Sequence, residues 1–154
     1  MAEEATDWTL HIIGEGSQRP LLTKKIDELG LKNSVFLDGI SPNLSKDYLS
    51  SSFAVFSSRY EGFLMAIAEA ESAGLPVISF DTPCGPKDII RNNEDGILVP
   101  MGNLELLSEK ILFLIKNEEL RKIMGEKAKE NAKRFSKDKI MAEWMKLFHE
   151  IVNE

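Results

Sequence analysis

The sequence predicts an α/β fold of the Rossmann-like type, in which a doubly wound parallel sheet carries helices on both faces. Three observations predict it. Short apolar runs alternate with helical patterns through the first two-thirds of the 154 residues. These runs are apolar on both faces, as the strands of buried parallel sheets are. From Asn103 onward the pattern is helical, which predicts extra helices at the C-terminus.

Each predicted strand is an apolar run that stops at a polar or glycine-containing turn, where a strand is expected to end. In chain order, the predicted strands are residues 8–13, 35–37, 53–56, 76–80 and 96–99. The longer predicted helices have apolar residues at helical spacing, and two helices end at a glycine. In chain order, the predicted helices are residues 17–29, 45–50, 63–73, 86–91, 104–114, 118–135 and 137–152. No repeat or linker interrupts the pattern, so we expect a single domain over residues 1–154.

Composition and charge exclude several classes of protein. Residues 1–100 carry 8 basic and 15 acidic side chains, which argues against nucleic acid as a partner because its affinity depends on basic contacts to phosphate. No apolar run approaches the roughly 18 residues of a membrane span. The single cysteine, Cys84, cannot form an internal disulfide, and with His11 and His149 it makes a poor metal set. We therefore expect a cytoplasmic protein, with the inner face of the membrane as an alternative location.

The segment from Ser58 to Ala70 is the most informative part of the chain. A strand ends there, Gly62 allows close approach of the backbone, and a helix begins. Free N–H groups and the dipole at a helix N-terminus suit a diphosphate. Glu61 and Glu69 flank this point, about 12 Å apart along the helix axis, and carboxylates accept hydrogen bonds from the hydroxyls of sugars. The structural alternative is a capped amphipathic helix with a solvated acid at each end.

The same segment resembles the Glu-x7-Glu motif of retaining glycosyltransferases of family 4, which have the glycosyltransferase-B fold. The similarity covers nearly the whole chain, with further matching blocks at residues 29–39, 74–78, 80–90, 95–99 and 134–136, and at Trp144. The resemblance implies that the chain is the C-terminal, donor-binding half of such an enzyme. It also implies that the family's first strand of this domain, with its basic pair, and the N-terminal acceptor domain are absent. We therefore expect the isolated chain to be inactive.

The resemblance also implies roles for particular residues. Glu61 would be the catalytic-centre residue that contacts hydroxyls of the transferred sugar, and Glu69 would bind the ribose hydroxyls. The remaining donor-binding residues would contribute mainly backbone groups, and they are Gly62, Phe63, Leu64, Met65, Gly14, Gly16 and Gly39. Arg59 and Lys87 are the basic residues beside these loops, and neither is assigned the role of the absent pair.

These roles imply a substrate and partners. The substrate would be a nucleoside diphosphate-sugar, from which a hexose-type sugar passes to a glycan or lipid acceptor in polysaccharide or glycoconjugate synthesis. No cofactor is expected, and no metal, since the sequence has no Asp-x-Asp. A surface left bare by the absent domain, including the last helix, would favour self-association. The alternatives are a non-catalytic half that needs a separate acceptor-domain partner, a degenerate structural domain, and a sugar-nucleotide epimerase, which the sequence blocks fit less well.

Overall fold

The computed structural model describes residues 5–153, and the chain divides into two compact units between Asp47 and Tyr48. The first unit contains β1 (Leu10–Ile13), α1 (Arg19–Glu28) and β2 (Val35–Gly39), and α2 (Leu44–Ser50) crosses the division. β1 and β2 pair in parallel. Parallel strands need a crossover connection, and α1 supplies it.

The second unit contains a three-stranded parallel sheet and the remaining helices. Its elements are β3 (Ala54–Phe56), α3 (Met65–Ser72), β4 (Val77–Asp81), α4 (Pro86–Ile89), β5 (Gly96–Pro100), α5 (Leu104–Lys116), α6 (Glu118–Ala132) and α7 (Lys137–Val152). The strand order is β3-β4-β5, so β4 is the central strand. A single 3-10 turn, Lys133–Phe135, joins α6 to α7.

The two faces of the central strand β4 carry separate apolar layers. On one face, Val77 packs with Ile67 of α3 and Ile89 of α4. On the other face, the next residue, Ile78, packs in a cluster that includes Leu107 of α5. Successive side chains of a strand point to opposite faces, so helices cover both sides of this sheet. The predicted α/β class with parallel strands flanked by helices is confirmed.

The element boundaries differ from the prediction at one place that matters. The helix expected from residue 63 begins at Met65, and Leu64 is its N-cap residue, with φ of −69° and ψ of 83°. Phe63 and Leu64 therefore belong to the preceding turn.

The strands hydrogen-bond as two sheets, β1-β2 and β3-β4-β5. The single domain expected over residues 1–154 stays a prediction, since two compact units can belong to one domain or to two.

The C-terminal helix α7 has no buried residue. Its exposed apolar side chains include Trp144 at 49% and Phe148 at 51% exposure, and the two rings lie 5.6 Å apart between centroids. The expectation that a surface including this helix favours self-association stays a prediction. Within residues 5–153, no helix is long and apolar enough to cross a membrane.

Candidate functional site

The turn between β3 and α3, residues 57–64, lies at the carboxyl edge of the second unit's sheet, where ligands of open parallel sheets bind. We call it the α3 turn. Its last residue, Leu64, makes no side-chain capping hydrogen bond to the helix. The first N–H groups of a helix have no partner within the helix. With no acidic residue in the first turn of α3, this helix end can bind an anion through backbone N–H groups and the helix dipole.

The two predicted carboxylates flank this helix end. Glu61 is half-buried within the α3 turn, and Glu69 is exposed on α3, about one helical turn after its first residue, Met65. Tyr48 lies beside Glu69. Burial, the charge of Glu69 and a hydrogen bond to that carboxylate raise the pKa of the Tyr48 hydroxyl. The Tyr48 hydroxyl has one proton, and the carbonyl of Ala66, at 3.3 Å, is the other acceptor within its reach.

A second loop of the same edge contacts the α3 turn directly. It joins β4 to α4 and ends at Gly85, whose φ is +95°. A Cβ atom on Gly85 would lie 2.4 Å from the carbonyl oxygen of Gly62 and 3.4 Å from the backbone nitrogen of Leu64. The amide of Gly85 donates to Asp88 Oδ2 at 3.1 Å. Gly85 is not among the residues predicted for the site, although a glycine directly before Pro86, after a strand, indicates a turn.

A cluster of buried polar side chains lies behind α3. Glu71, Asp95 and Asn131 are 0%, 1% and 4% exposed. Asn131 Nδ2 donates to Glu71 Oε2 at 3.3 Å and to the carbonyl of Ile89 at 2.8 Å. Burial, followed by the charge of Asp95, raises the pKa of Glu71 to about 8, so this carboxyl holds its proton at neutral pH.

Sequence reasoning missed the role of Glu71 as a core residue. The available signal was its spacing, because Glu71 follows Ile67 by four residues and therefore shares the buried face of α3. Asp95 belongs to the same cluster. Its Oδ1 accepts a hydrogen bond from the backbone N–H of Arg91 at 2.8 Å, and burial raises its pKa.

The three predicted glycines of the first unit lie close together. The amide of Gly14 donates to the carbonyl of Gly39 at 2.7 Å. A hollow of about 250 Å³ is lined by Gly14, Gly16 and residues of β1, α1 and β2. Gly39 has φ of +75°, and a Cβ atom on it would lie 2.9 Å from Glu15 Oε1. The end of the flexible Glu15 side chain can move aside, so it is the positive φ that favours glycine at this position.

Arg19 also lines this hollow, and sequence reasoning missed it. One terminal nitrogen of its guanidinium contacts Glu15 Oε1 at 2.8 Å, and the other donates to the carbonyl of Leu37 at 2.8 Å. Arg59 and Lys87, the basic residues noted from the sequence, belong to the second unit. The available signal for Arg19 was its position, since it opens the helix directly after the glycine loop.

Solved structures show what class of protein has this fold. A variant of TarM from Staphylococcus aureus, in complex with fondaparinux, alpha-GlcNAc-glycerol and UDP, matches with a TM-score of 0.89 and 33% sequence identity. The match covers 96% of this chain and 30% of that chain. The fold is thus that of the C-terminal domain of the GT-B glycosyltransferases.

Sequence comparisons define the family. The family model described as "Glycosyl transferases group 1" matches residues 1–131, and the chain belongs to that family. This confirms the resemblance found from the Glu-x7-Glu motif and its flanking blocks.

Curated relatives include polymer-modifying enzymes of bacteria. An exopolysaccharide phosphotransferase of Streptomyces coelicolor is 40% identical over 95% of this chain and 16% of its own length. The poly(ribitol-phosphate) alpha-N-acetylglucosaminyltransferase of Staphylococcus aureus is 35% identical over 90% of this chain and 28% of its own length. The chain therefore spans less than a third of each of these two relatives.

Proposed function

We propose that this chain is the donor-binding domain of a retaining glycosyltransferase that uses a nucleoside diphosphate-sugar. The observation that carries the proposal is the uncapped N-terminus of α3 between the carboxylates of Glu61 and Glu69. UDP in the matched TarM complex supports a nucleotide donor. An N-acetylglucosaminyltransferase among the relatives supports a hexose-type sugar, and its polymer acceptor supports a role in polysaccharide or glycoconjugate synthesis.

Each part of the α3 turn has a task in this proposal. The backbone N–H groups of Phe63, Leu64 and Met65 bind the diphosphate. Glu61, close to the helix end, accepts hydrogen bonds from hydroxyls of the transferred sugar. Glu69, held beside Tyr48, accepts hydrogen bonds from the ribose hydroxyls.

During transfer, the bond between the anomeric carbon and the diphosphate oxygen breaks, and its electron pair stays on that oxygen. The anomeric carbon forms a new bond to the acceptor hydroxyl oxygen, whose proton passes to an oxygen of the leaving diphosphate. Negative charge therefore grows on the leaving diphosphate, and fixed N–H donors with the dipole of α3 stabilise that charge.

Three further parts of the proposal concern the rest of the protein. Gly14, Gly16 and Gly39 of the first unit keep their assignment to donor binding. The acceptor-binding groups lie outside these 154 residues, as the small share of each relative that the chain spans suggests, so the isolated chain binds the donor without transferring sugar. The location is the cytoplasm, which suits the exposed free thiol of Cys84.

Titration calorimetry of the chain with UDP-N-acetylglucosamine and with UDP tests the proposal. Glu61→Gln should weaken binding of the nucleotide-sugar by about 5- to 150-fold and leave UDP binding unchanged, because UDP has no transferred sugar. Glu69→Gln should weaken both ligands alike, since both contain the ribose. Glu126→Gln, an exposed position on α6, is the matched control. If the two site variants bind both ligands as the control does, the assignment is wrong.

A further inference from the structure

The 3-10 turn that joins α6 to α7 contacts the α3 turn. The ring of Phe135 meets the ring of Phe63 edge to face, with centroids 5.3 Å apart and an interplanar angle of 74°. Phe63 is 48% exposed, so much of its surface is left open on the side away from Phe135. Edge-to-face aromatic pairs favour one relative orientation of two rings. Phe135 therefore restricts the conformations open to the α3 turn.

Arg134 connects the same 3-10 turn to the second loop of the site. Its guanidinium carbon lies 4.3 Å from the centroid of the Phe135 ring. Its Nη2 donates to the carbonyl oxygens of Asp88 and Ile89, at 2.7 Å each. These carbonyls belong to α4, and the backbone of Gly85 just before α4 packs against Gly62.

The α3 turn is thus held from two sides, at Phe63 by Phe135 and at Gly62 by Gly85. Arg134 links these two contacts, because its guanidinium stacks on the ring of Phe135 and donates hydrogen bonds to the carbonyls of α4. We propose that Arg134 and Phe135 are positioning residues for the α3 turn, which hold its N–H groups in the geometry that binds the diphosphate. The effect on ligand affinity rests on the proposed function, whereas the effect on the turn itself does not.

A simple structural role for Arg134 is the competing interpretation, and the chain offers a matched control for it. Arg121 also donates from one guanidinium to two backbone carbonyls, those of Leu114 and Ile115. Arg121 borders the start of β4 near Pro76, at the opposite edge of the sheet from the α3 turn. Replacement of either arginine by lysine removes similar hydrogen bonds. Of the two, Arg134 is the one whose hydrogen bonds shown here go to an element of the candidate site, α4.

The test measures ¹⁵N order parameters of the free chain and then its affinity for UDP, under conditions where every variant is folded. In Phe135→Leu and Arg134→Lys, the order parameters of Gly62, Phe63 and Leu64 should fall from about 0.85 toward about 0.6. UDP binding should weaken by about three- to tenfold. Phe135→Tyr, which keeps the ring contact, should behave as the wild type. Arg121→Lys should lower only the melting temperature.

A double-mutant cycle separates positioning from general destabilisation. If Phe135 acts through Phe63, adding Phe135→Leu to Phe63→Leu should cause no further loss of UDP affinity. Unchanged order parameters in Phe135→Leu and Arg134→Lys would overturn the positioning role. If those order parameters fall but the wild-type chain does not bind UDP, the positioning role stands and the proposed donor-binding function fails.

Discussion

The backbone of Gly85 lies so close to that of Gly62 that a Cβ atom on Gly85 would meet the Gly62 carbonyl oxygen at 2.4 Å. Real Cβ atoms do not approach backbone oxygens so closely, and the φ of +95° at Gly85 is also unfavourable for any other residue. The loop before α4 and the α3 turn therefore depend on each other for their conformations.

We predict that Gly85→Ala weakens nucleotide binding as well as stability. The added methyl group must displace Gly62, and with it the N–H groups proposed to bind the diphosphate. We expect a stability loss of about 1–3 kcal/mol and a loss of UDP affinity of at least about tenfold. Thermal unfolding and calorimetry measure the two effects.

Gly125→Ala is the control for Gly85→Ala. A Cβ atom on Gly125 would lie 2.2 Å from the carbonyl oxygen of Gly74, at the turn before β4. This variant should be destabilised by about 1–3 kcal/mol, yet bind UDP normally while folded. If both glycine variants lose affinity to the same extent, the special role of Gly85 is contradicted.

Because the carboxyl of Glu71 is buried, we predict that the free energy of unfolding depends on pH. Its pKa is raised from an ordinary 4.5 to about 8, so between these values the folded state binds a proton that the unfolded state releases. Stability therefore falls as pH rises through this window. Asp95, Arg91 and Arg134 also influence Glu71, and they remain in the variant described next.

Glu71→Gln should remove this part of the pH dependence, because glutamine keeps the shape and neutrality of the protonated glutamate. Between about pH 5 and about pH 8, the stability of the wild type should fall by about 3.5 kcal/mol more than that of Glu71→Gln, or about 7–14 °C in melting temperature. Parallel curves of melting temperature against pH for the two proteins would contradict the assignment of a neutral, buried Glu71.

Tyr48→Phe tests whether the position of Glu69 matters for binding. The variant removes the hydroxyl whose single proton is shared between the Glu69 carboxylate and the carbonyl of Ala66, so the carboxylate gains freedom. UDP affinity should fall by about two- to fivefold. The loss should disappear with a UDP analogue that lacks the ribose hydroxyls, measured by the same titration. An equal loss for UDP and the analogue would show that Tyr48 acts by another route.

We also predict that the chain binds the donor without a metal ion. The diphosphate is assigned to N–H groups and a helix dipole, so UDP affinity should change by less than about twofold when EDTA replaces Mg²⁺ in the titration. A large loss of affinity with EDTA would show that a cation bridges the diphosphate and the protein.

Much of the fold could be predicted from the sequence because local patterns determine it. Apolar runs separated by glycines located the five strands that the structure describes within residues 5–153, and the last helix, Lys137–Val152, was predicted with its observed ends. The start of α3 was placed two residues early. Leu64 fits a helical pattern by hydrophobicity, but as N-cap it packs instead against the apolar cluster of α3, β4 and α4.

The candidate site could be predicted only where one segment contains it. Glu61 and Glu69 are close in sequence, and they bracket the start of a helix that the sequence predicts, although Glu61 lies in the turn before α3 and not on the helix. The contacts of Gly85 with Gly62 and of Phe135 with Phe63 join segments far apart in the chain. Long-range contacts of this kind depend on tertiary packing, which no local pattern records.

An NMR titration of the ¹⁵N-labelled chain with UDP tests donor binding at the α3 turn most directly. We expect saturable shifts of the backbone amides of Phe63, Leu64 and Met65, larger than those of α5 and α6. Binding without shifts at these three amides, or shifts confined to residues remote from the α3 turn, would contradict it.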